Sequence, residues 1–221
     1  CVILNNIAKN GSAIYFRNAG FPLPQDTSLF ITNCSFSGNN LSSGTALYFS
    51  DNFAQASVKN SIFWGNFNEI TAPFYPVTIH NSIIEGGYGG AMNVDPQFVV
   101  QPNFGSINDN LRLMPTSPAI DIGTNTFNST TTDIENNARV SNAIIDLGAY
   151  EYCGTQMLCY RDADGDAYGS FETERVVCST CPAGYVTNSL DCNDDPENGG
   201  LMAFPTNEEI LGDGIDNTCN G

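Results

Sequence analysis

The sequence predicts an all-β fold, a β-solenoid of short stacked strands over residues 1–152 followed by a small irregular module over residues 153–221. Three observations lead there. The phrase Ile31-Thr-Asn33-Cys34-Ser-Phe36-Ser-Gly38-Asn39 returns 27 residues later as Val58-Lys-Asn60-Ser61-Ile-Phe63-Trp-Gly65-Asn66, and Ile79-His80-Asn81-Ser82-Ile-Ile84 echoes it after another 21. At an offset of 33, Cys1 matches Cys34, Ile3 matches Phe36, Asn6 matches Asn39, and Ala13-Ile-Tyr-Phe16 matches Ala46-Leu-Tyr-Phe49. Composition then changes near Tyr152: residues 1–150 carry 10 acidic and 5 basic side chains, whereas residues 151–221 carry 14 and 2, together with six of the eight cysteines.

A unit of 21 to 33 residues built from short apolar stretches and Asn/Gly/Ser turns cannot bury its own apolar face, so it must stack on copies of itself. Asn33, Asn60 and Asn81 read as a ladder at one corner, where side-chain amides bond to neighbours above and below and to turn backbone. Cys34 and Cys1 occupy equivalent positions and read as stacked core thiols, with a disulfide between adjacent parallel strands as the alternative. The Pro-rich stretch 21–29 and the excursion Pro73-Phe-Tyr-Pro76 read as loops off the regular path. Gly86, Gly87, Gly89 and Gly90 release the chain from the repeat frame. The short runs Phe98–Val100, Leu111–Leu113, Ala119–Ile122 and Ala143–Leu147 are expected to continue the stack and close it, protecting its last strand edge.

The phrases Val94-Asp-Pro-Gln-Phe98, Leu111-Arg-Leu-Met-Pro-Thr-Ser-Pro-Ala-Ile-Asp-Ile-Gly123 and Asp146-Leu-Gly-Ala-Tyr-Glu-Tyr152, with Asn81-Ser-Ile-Ile-Glu-Gly-Gly87 before them, resemble the carboxy-terminal part of secreted bacterial right-handed parallel β-helix proteins of the pectin-lyase-like kind. The resemblance covers residues 1–152. It implies a right-handed parallel β-helix and an exported protein. Because the chain begins at the cysteine position of a repeat, it reads as a fragment of something longer.

In the tail, Asp162, Asp164 and Asp166 stand at i, i+2 and i+4, on one side of a looping backbone, where they can converge on one hard cation. The spacing matches the start of an EF-hand loop, yet Ala167 stands where that loop needs glycine and no helical pattern flanks it. Asp191, Asn193 and Asp195 repeat the spacing, and Asp213, Asp216 and Asn217 supply a third set. Cys153, Cys159, Cys178, Cys181, Cys192 and Cys219 read as disulfide partners in an oxidising compartment, their connectivity open. With so little apolar material, such a module owes much of its folding energy to disulfides and metal together.

The order Asp-x-Asp-x-Asp-x-Tyr168-Gly, then Cys181-Pro-Ala-Gly-Tyr-Val186, then Asp191-Cys-Asn-Asp-Asp195, then Glu209-Ile-Leu-Gly-Asp-Gly-Ile-Asp-Asn217-Thr-Cys219 resembles a metal-binding module appended to secreted bacterial proteins, akin to the calcium-rich type 3 repeats of thrombospondins. The resemblance implies calcium as the bound ion and Asp162, Asp164, Asp166, Asp191, Asp195, Asp213 and Asp216 as its ligands, with Tyr168, Asn193 and Asn217 among the candidate positions. Leu211 stands where such modules usually carry a cysteine, which puts the pairing of Cys219 in doubt.

A formal charge of -17 argues against a phosphate backbone as partner, since little cation is present to contact it. The lone His80 has no partners for a triad or zinc site. Carboxylates Asp26, Asp51, Glu69 and Glu85 are scattered rather than paired, so no catalytic residue is expected in this stretch. The reading is a non-catalytic extracellular or cell-surface scaffold or adhesin, secreted or displayed on a bacterial surface and stabilised by calcium. A surface glycan, another surface protein or a second copy is the candidate partner, and no membrane insertion is expected. The alternatives are a polysaccharide lyase or hydrolase with its active site in upstream repeats, and a structural component of a surface filament or layer.

Overall fold

A computed structural model describes residues 1–8, 10–17, 28–39, 44–50, 55–100, 109–178 and 180–221. Most of the stretch 21–29, the residues Lys9, Asp26 and Asp51, and Asn40 to Ser42 lie outside these. The chain divides into two compact units, Cys1–Tyr152 and Cys153–Gly221.

In the first unit each repeat contributes three short strands. The first supplies β1 (Val2–Leu4), β2 (Ile14–Phe16) and β3 (Ser28–Thr32). The second supplies β4 (Ser35–Ser37), β5 (Leu47–Phe49) and β6 (Gln55–Lys59). The third supplies β7 (Ile62–Trp64), β8 (Ile70–Thr71) and β9 (Thr78–His80), after which β10 (Ile83–Ile84) ends the series. Like pairs with like, all parallel, in sheets ordered β1-β4-β7-β10, β2-β5-β8 and β3-β6-β9. The register follows the sequence echo, Ile3 facing Phe36, Phe36 facing Phe63, and Phe63 facing Ile84.

Beyond β10 only a single parallel bridge follows among the described residues of this unit, Met92 to Ile83, and the expected fold class needs correction. No continuous right-handed parallel β-helix runs to residue 152; the protein is a set of small parallel and antiparallel sheets. β11 (Phe98–Val100) and β12 (Asn110–Leu113) pair antiparallel with each other, and Ala119–Ile122 and Ala143–Leu147 form no strands. These runs do not extend the stack. They lie over the outer face of the first sheet, where Phe98, Leu111, Leu113, Ala119 and Leu147 bury Ile62 and Ile83. The alternation within β7 explains why: Phe63 points into one core with Phe36, Val58 and Ile84, while its neighbour Ile62 points the other way and needs its own cover. The contact is close at Gly148, where a Cβ would stand 2.6 Å from Ser35 Oγ and 3.0 Å from Ile62 Cδ1.

Two polar ladders brace the parallel strands. Asn33, Asn60 and Asn81 each turn the chain in the left-handed region, at φ 54°, 46° and 39°. Asn60 Nδ2 donates to Asn33 Oδ1 at 3.2 Å, but the other bonds at this corner hold the passing segment 122–128: Thr124 N donates to Asn60 Oδ1 at 2.9 Å, Asn33 Nδ2 to Asn128 Oδ1 at 3.0 Å and Asn81 Nδ2 to Ile122 O at 3.4 Å. His80 is exposed beside it, its ring 5.3 Å from that of Phe127, which also carries Lys59 Nζ at 4.5 Å.

The second ladder runs from the exposed Asn6 to the buried Asn39 and Asn66. Asn6 donates its backbone N–H and Nδ2 to Asn39 Oδ1 at 3.2 and 3.0 Å, and Asn39 does the same to Asn66 Oδ1 at 2.9 and 3.0 Å. The next repeat has Gly87 where this asparagine would fall, and Glu69 takes its place, its two carboxyl oxygens accepting the N–H and Nδ2 of Asn66. Burial pushes Glu69 up to about 8 against the pull of those bonds, with Glu85 adding repulsion.

A third polar group lies beneath residues 131–152. Arg139, 1% exposed, pairs with Glu151 at 3.3 Å and donates through Nη2 to the carbonyls of Asp146 and Gly148. Asp146, itself buried, accepts from the backbone of Asp121 and Tyr152. A further correction concerns Cys1 and Cys34, expected as free thiols. They form a disulfide, because equivalent positions on adjacent parallel strands place their Cα atoms only 4.6 Å apart, within bridging range.

The second unit is not wholly irregular. β13 (Met157–Arg161) sits between β14 (Arg175–Val177) and β15 (Tyr185–Val186) in an antiparallel sheet. Disulfides Cys153–Cys178, Cys159–Cys181 and Cys192–Cys219 use all six of its cysteines. Leu211, which replaces the expected cysteine, is 93% exposed, and Cys219 pairs without it.

Candidate metal centre

Asp162, Asp164 and Asp166 leave β13 in a loop that folds on its own carboxylates. Asp162 accepts from Gly165 N at 2.7 Å and Ala167 N at 3.2 Å, Asp164 Oδ1 from Asp166 N at 3.1 Å, and Asp166 Oδ1 from Tyr168 N at 2.7 Å. These are side-chain-to-backbone turns of the kind short acidic residues favour. They require left-handed backbone at Ala167, φ 74°, a conformation disfavoured for a residue with a Cβ.

A second loop meets the first through Asp191, whose N–H donates to Gly169 O at 3.2 Å. Asp191 Oδ1 accepts from Asn193 N at 2.7 Å, and Asp194 accepts from Ala163 N. The outcome is two sets of carboxylates whose oxygens lie within 4.8 Å of one another, Asp162 with Asp164 and Asp194, and Asp164 with Asp166 and Asp191. Either set could hold a metal ion. A third group, Asp191 with Cys192 and Cys219, cannot offer thiolates because both cysteines are bridged.

The decisive detail is what each carboxylate does with its second oxygen. Asp164 Oδ2, Asp166 Oδ2 and Asp191 Oδ2 are buried and have no hydrogen-bond partner among the described residues. Buried acceptors without partners are costly, the more so when charged. Burial and the surrounding carboxylates accordingly raise all three, Asp191 to about 6. An open groove of about 530 Å³ borders Asp191, lined by Ser170, Phe171, Glu172 and residues 191–195.

The other candidate positions fall elsewhere. Tyr168 stacks on Phe204 at 5.5 Å and contributes its backbone N–H to the loop. Asn193 donates through Nδ2 to Asn198 O at 3.1 Å, and Asp195 accepts from Glu197 N and Asn198. Asn217 is fully buried, its Oδ1 accepting from Ile210 N at 2.8 Å and its own N–H donating to Glu209. Asp213 accepts from Ile215 N at 2.9 Å, and Asp216 from the backbone of Asn220 and Gly221. The residue that spacing missed is Asp194. An i, i+2, i+4 rule assigns it to the opposite side from Asp191 and Asp195, but the loop around it is neither extended nor helical.

Comparison with known proteins returns no matching family model, no similar curated protein and no similar solved structure. The four disulfides point to an oxidising, extracellular or secreted setting, and no helix among the described residues is long and apolar enough to cross a membrane.

Proposed function

We propose that this chain is a non-catalytic extracellular scaffold whose acidic unit folds around calcium. The observation that carries the reading is the set of three buried carboxylate oxygens, on Asp164, Asp166 and Asp191, that no group among the described residues satisfies. Like charges held within 4.8 Å of one another repel, and a divalent cation turns that repulsion into cohesion. The donor set selects the ion. It is all oxygen, from carboxylates on loops with nearby backbone carbonyls, which suits the larger and more flexible coordination of calcium over magnesium. Zinc and copper favour imidazole and thiolate, and every cysteine here is bridged.

In this reading residues 1–152 present sheet faces and loops to a partner, and residues 153–221 form a disulfide- and ion-locked segment that resists proteolysis. The test is scanning calorimetry of the chelator-stripped, disulfide-intact chain with calcium, magnesium or neither. The expected result is a rise in the unfolding temperature of the acidic unit with calcium, a smaller one with magnesium at equal concentration, and protection of residues 153–221 from protease. An unfolding profile unchanged at millimolar calcium sinks the assignment.

A further inference from the structure

We infer that Asp164 is shared between two cation positions, one completed by Asp162 and Asp194 and the other by Asp166 and Asp191, so that two ions tie the first acidic loop to the second. The inference rests on the calcium reading above and adds the number of ions and the division of labour among the carboxylates.

The geometry divides the carboxylates before any ion is considered. Two oxygens bound to one calcium at about 2.3–2.6 Å can stand no more than about 5 Å apart. The oxygens of Asp162, Asp164 and Asp194 meet that limit among themselves, as do those of Asp164, Asp166 and Asp191, so the five residues form two sets with Asp164 common to both. Five carboxylates around one divalent ion would leave a large surplus of negative charge at short range, and a second ion removes most of it.

A separate observation points into the second position. Asp191 is 8% exposed, its Oδ1 is engaged by Asn193 N, and its Oδ2 is buried beside Asp164 and Asp166 with no protein partner among the described residues. Asp164 contributes in the same manner, Oδ1 to the Asp166 N–H and Oδ2 without a partner. Gly200 marks how oxygens crowd around Asp164: a Cβ there would stand 2.4 Å from Asp164 Oδ2, 2.6 Å from Asn193 O and 2.7 Å from Asp195 O. Two backbone carbonyls therefore approach the shared carboxylate, and only a residue without a side chain leaves them room.

The experiment is calorimetric titration of calcium into the chelator-stripped full chain with its disulfides intact, followed by the same titration of Asp164→Asn, Asp191→Asn and Asp194→Asn. Circular dichroism and intact mass verify that each variant is folded and bridged. The parent should take two ions, Asp191→Asn and Asp194→Asn one each, and Asp164→Asn should bind both at least tenfold more weakly. A single ion per parent chain overturns the shared site while leaving the calcium reading intact. So does an Asp164→Asn variant that loses no more than the other two. No saturable binding by the parent overturns the calcium reading and the shared site with it.

Discussion

The two units solve the same problem with different materials. Residues 1–152 bury two apolar clusters, one on each face of the β1-β4-β7-β10 sheet, and stack Phe36 on Phe63 with ring centroids 4.1 Å apart. Residues 153–221 bury few apolar side chains, among them Tyr160, Val176, Val177 and Ala203, and rely on three disulfides and a web of carboxylate turns. The difference shows how order is obtained when apolar area is scarce. Cross-links limit the unfolded chain, and side-chain acceptors take the place of a sheet ladder.

Reduction should break this comparison most sharply. The three bridges of the acidic unit span 25, 22 and 27 residues, and each closure of this length is worth about 3 kcal/mol. Reducing agent should therefore unfold residues 153–221 while slow hydrogen exchange persists in β4 and β7. Loss of protection in both units together would show that the first also depends on its bridge, Cys1–Cys34.

Within the first unit, Arg139→Ala should cost about 3 kcal/mol, because it strips the buried carbonyls of Asp146 and Gly148, and the Glu151 carboxyl that burial raises to about 8, of their donor. Chemical denaturation measures this, and adding Glu151→Gln should restore part of the loss. If the single substitution costs under about 1 kcal/mol, the polar group beneath residues 131–152 is not what holds that segment down.

A smaller effect is the response of the first unit to pH. Glu69 and Glu151 are raised to about 8 and Asp146 to about 6, chiefly by burial, so between the ordinary carboxylate range and those values the folded first unit holds more protons than the unfolded chain. Its stability should fall as pH rises from about 5 to 8. Glu69→Gln keeps an acceptor for Asn66 and should flatten the upper part of that slope. A slope unchanged in the variant would assign it to other groups.

The smallest expected change is a gain. Ala167→Gly removes the steric cost of φ 74° and should stabilise the acidic unit by about 1 kcal/mol, read as a higher denaturation midpoint at fixed calcium. No gain would mean that the greater freedom of glycine in the unfolded chain offsets the relief.

Much was legible without coordinates. The offsets of 33, 27 and 21 in the repeated phrase are the offsets of the parallel pairing, since identical local patterns want identical neighbours. The cysteines of the tail announced its disulfides, whereas Asp162, Asp164 and Asp166, read as one set, are divided between two. What could not be read is where a segment goes once its periodicity ends. Residues 98–147 carry short apolar runs equally suited to extending the stack or to covering its side; the outward-facing Ile62 and Ile83 decided for covering, and that is a property of the assembled sheet. Glu69 closing the Asn6-Asn39-Asn66 ladder, Cys1 meeting Cys34 and Asp194 entering the acidic cluster are of the same kind. The sequence by itself determined which residues repeat, which are charged and which can cross-link, because those follow from local pattern and side-chain chemistry. Tertiary structure alone decided which buried oxygens were left without partners, because that depends on every other donor in the folded chain.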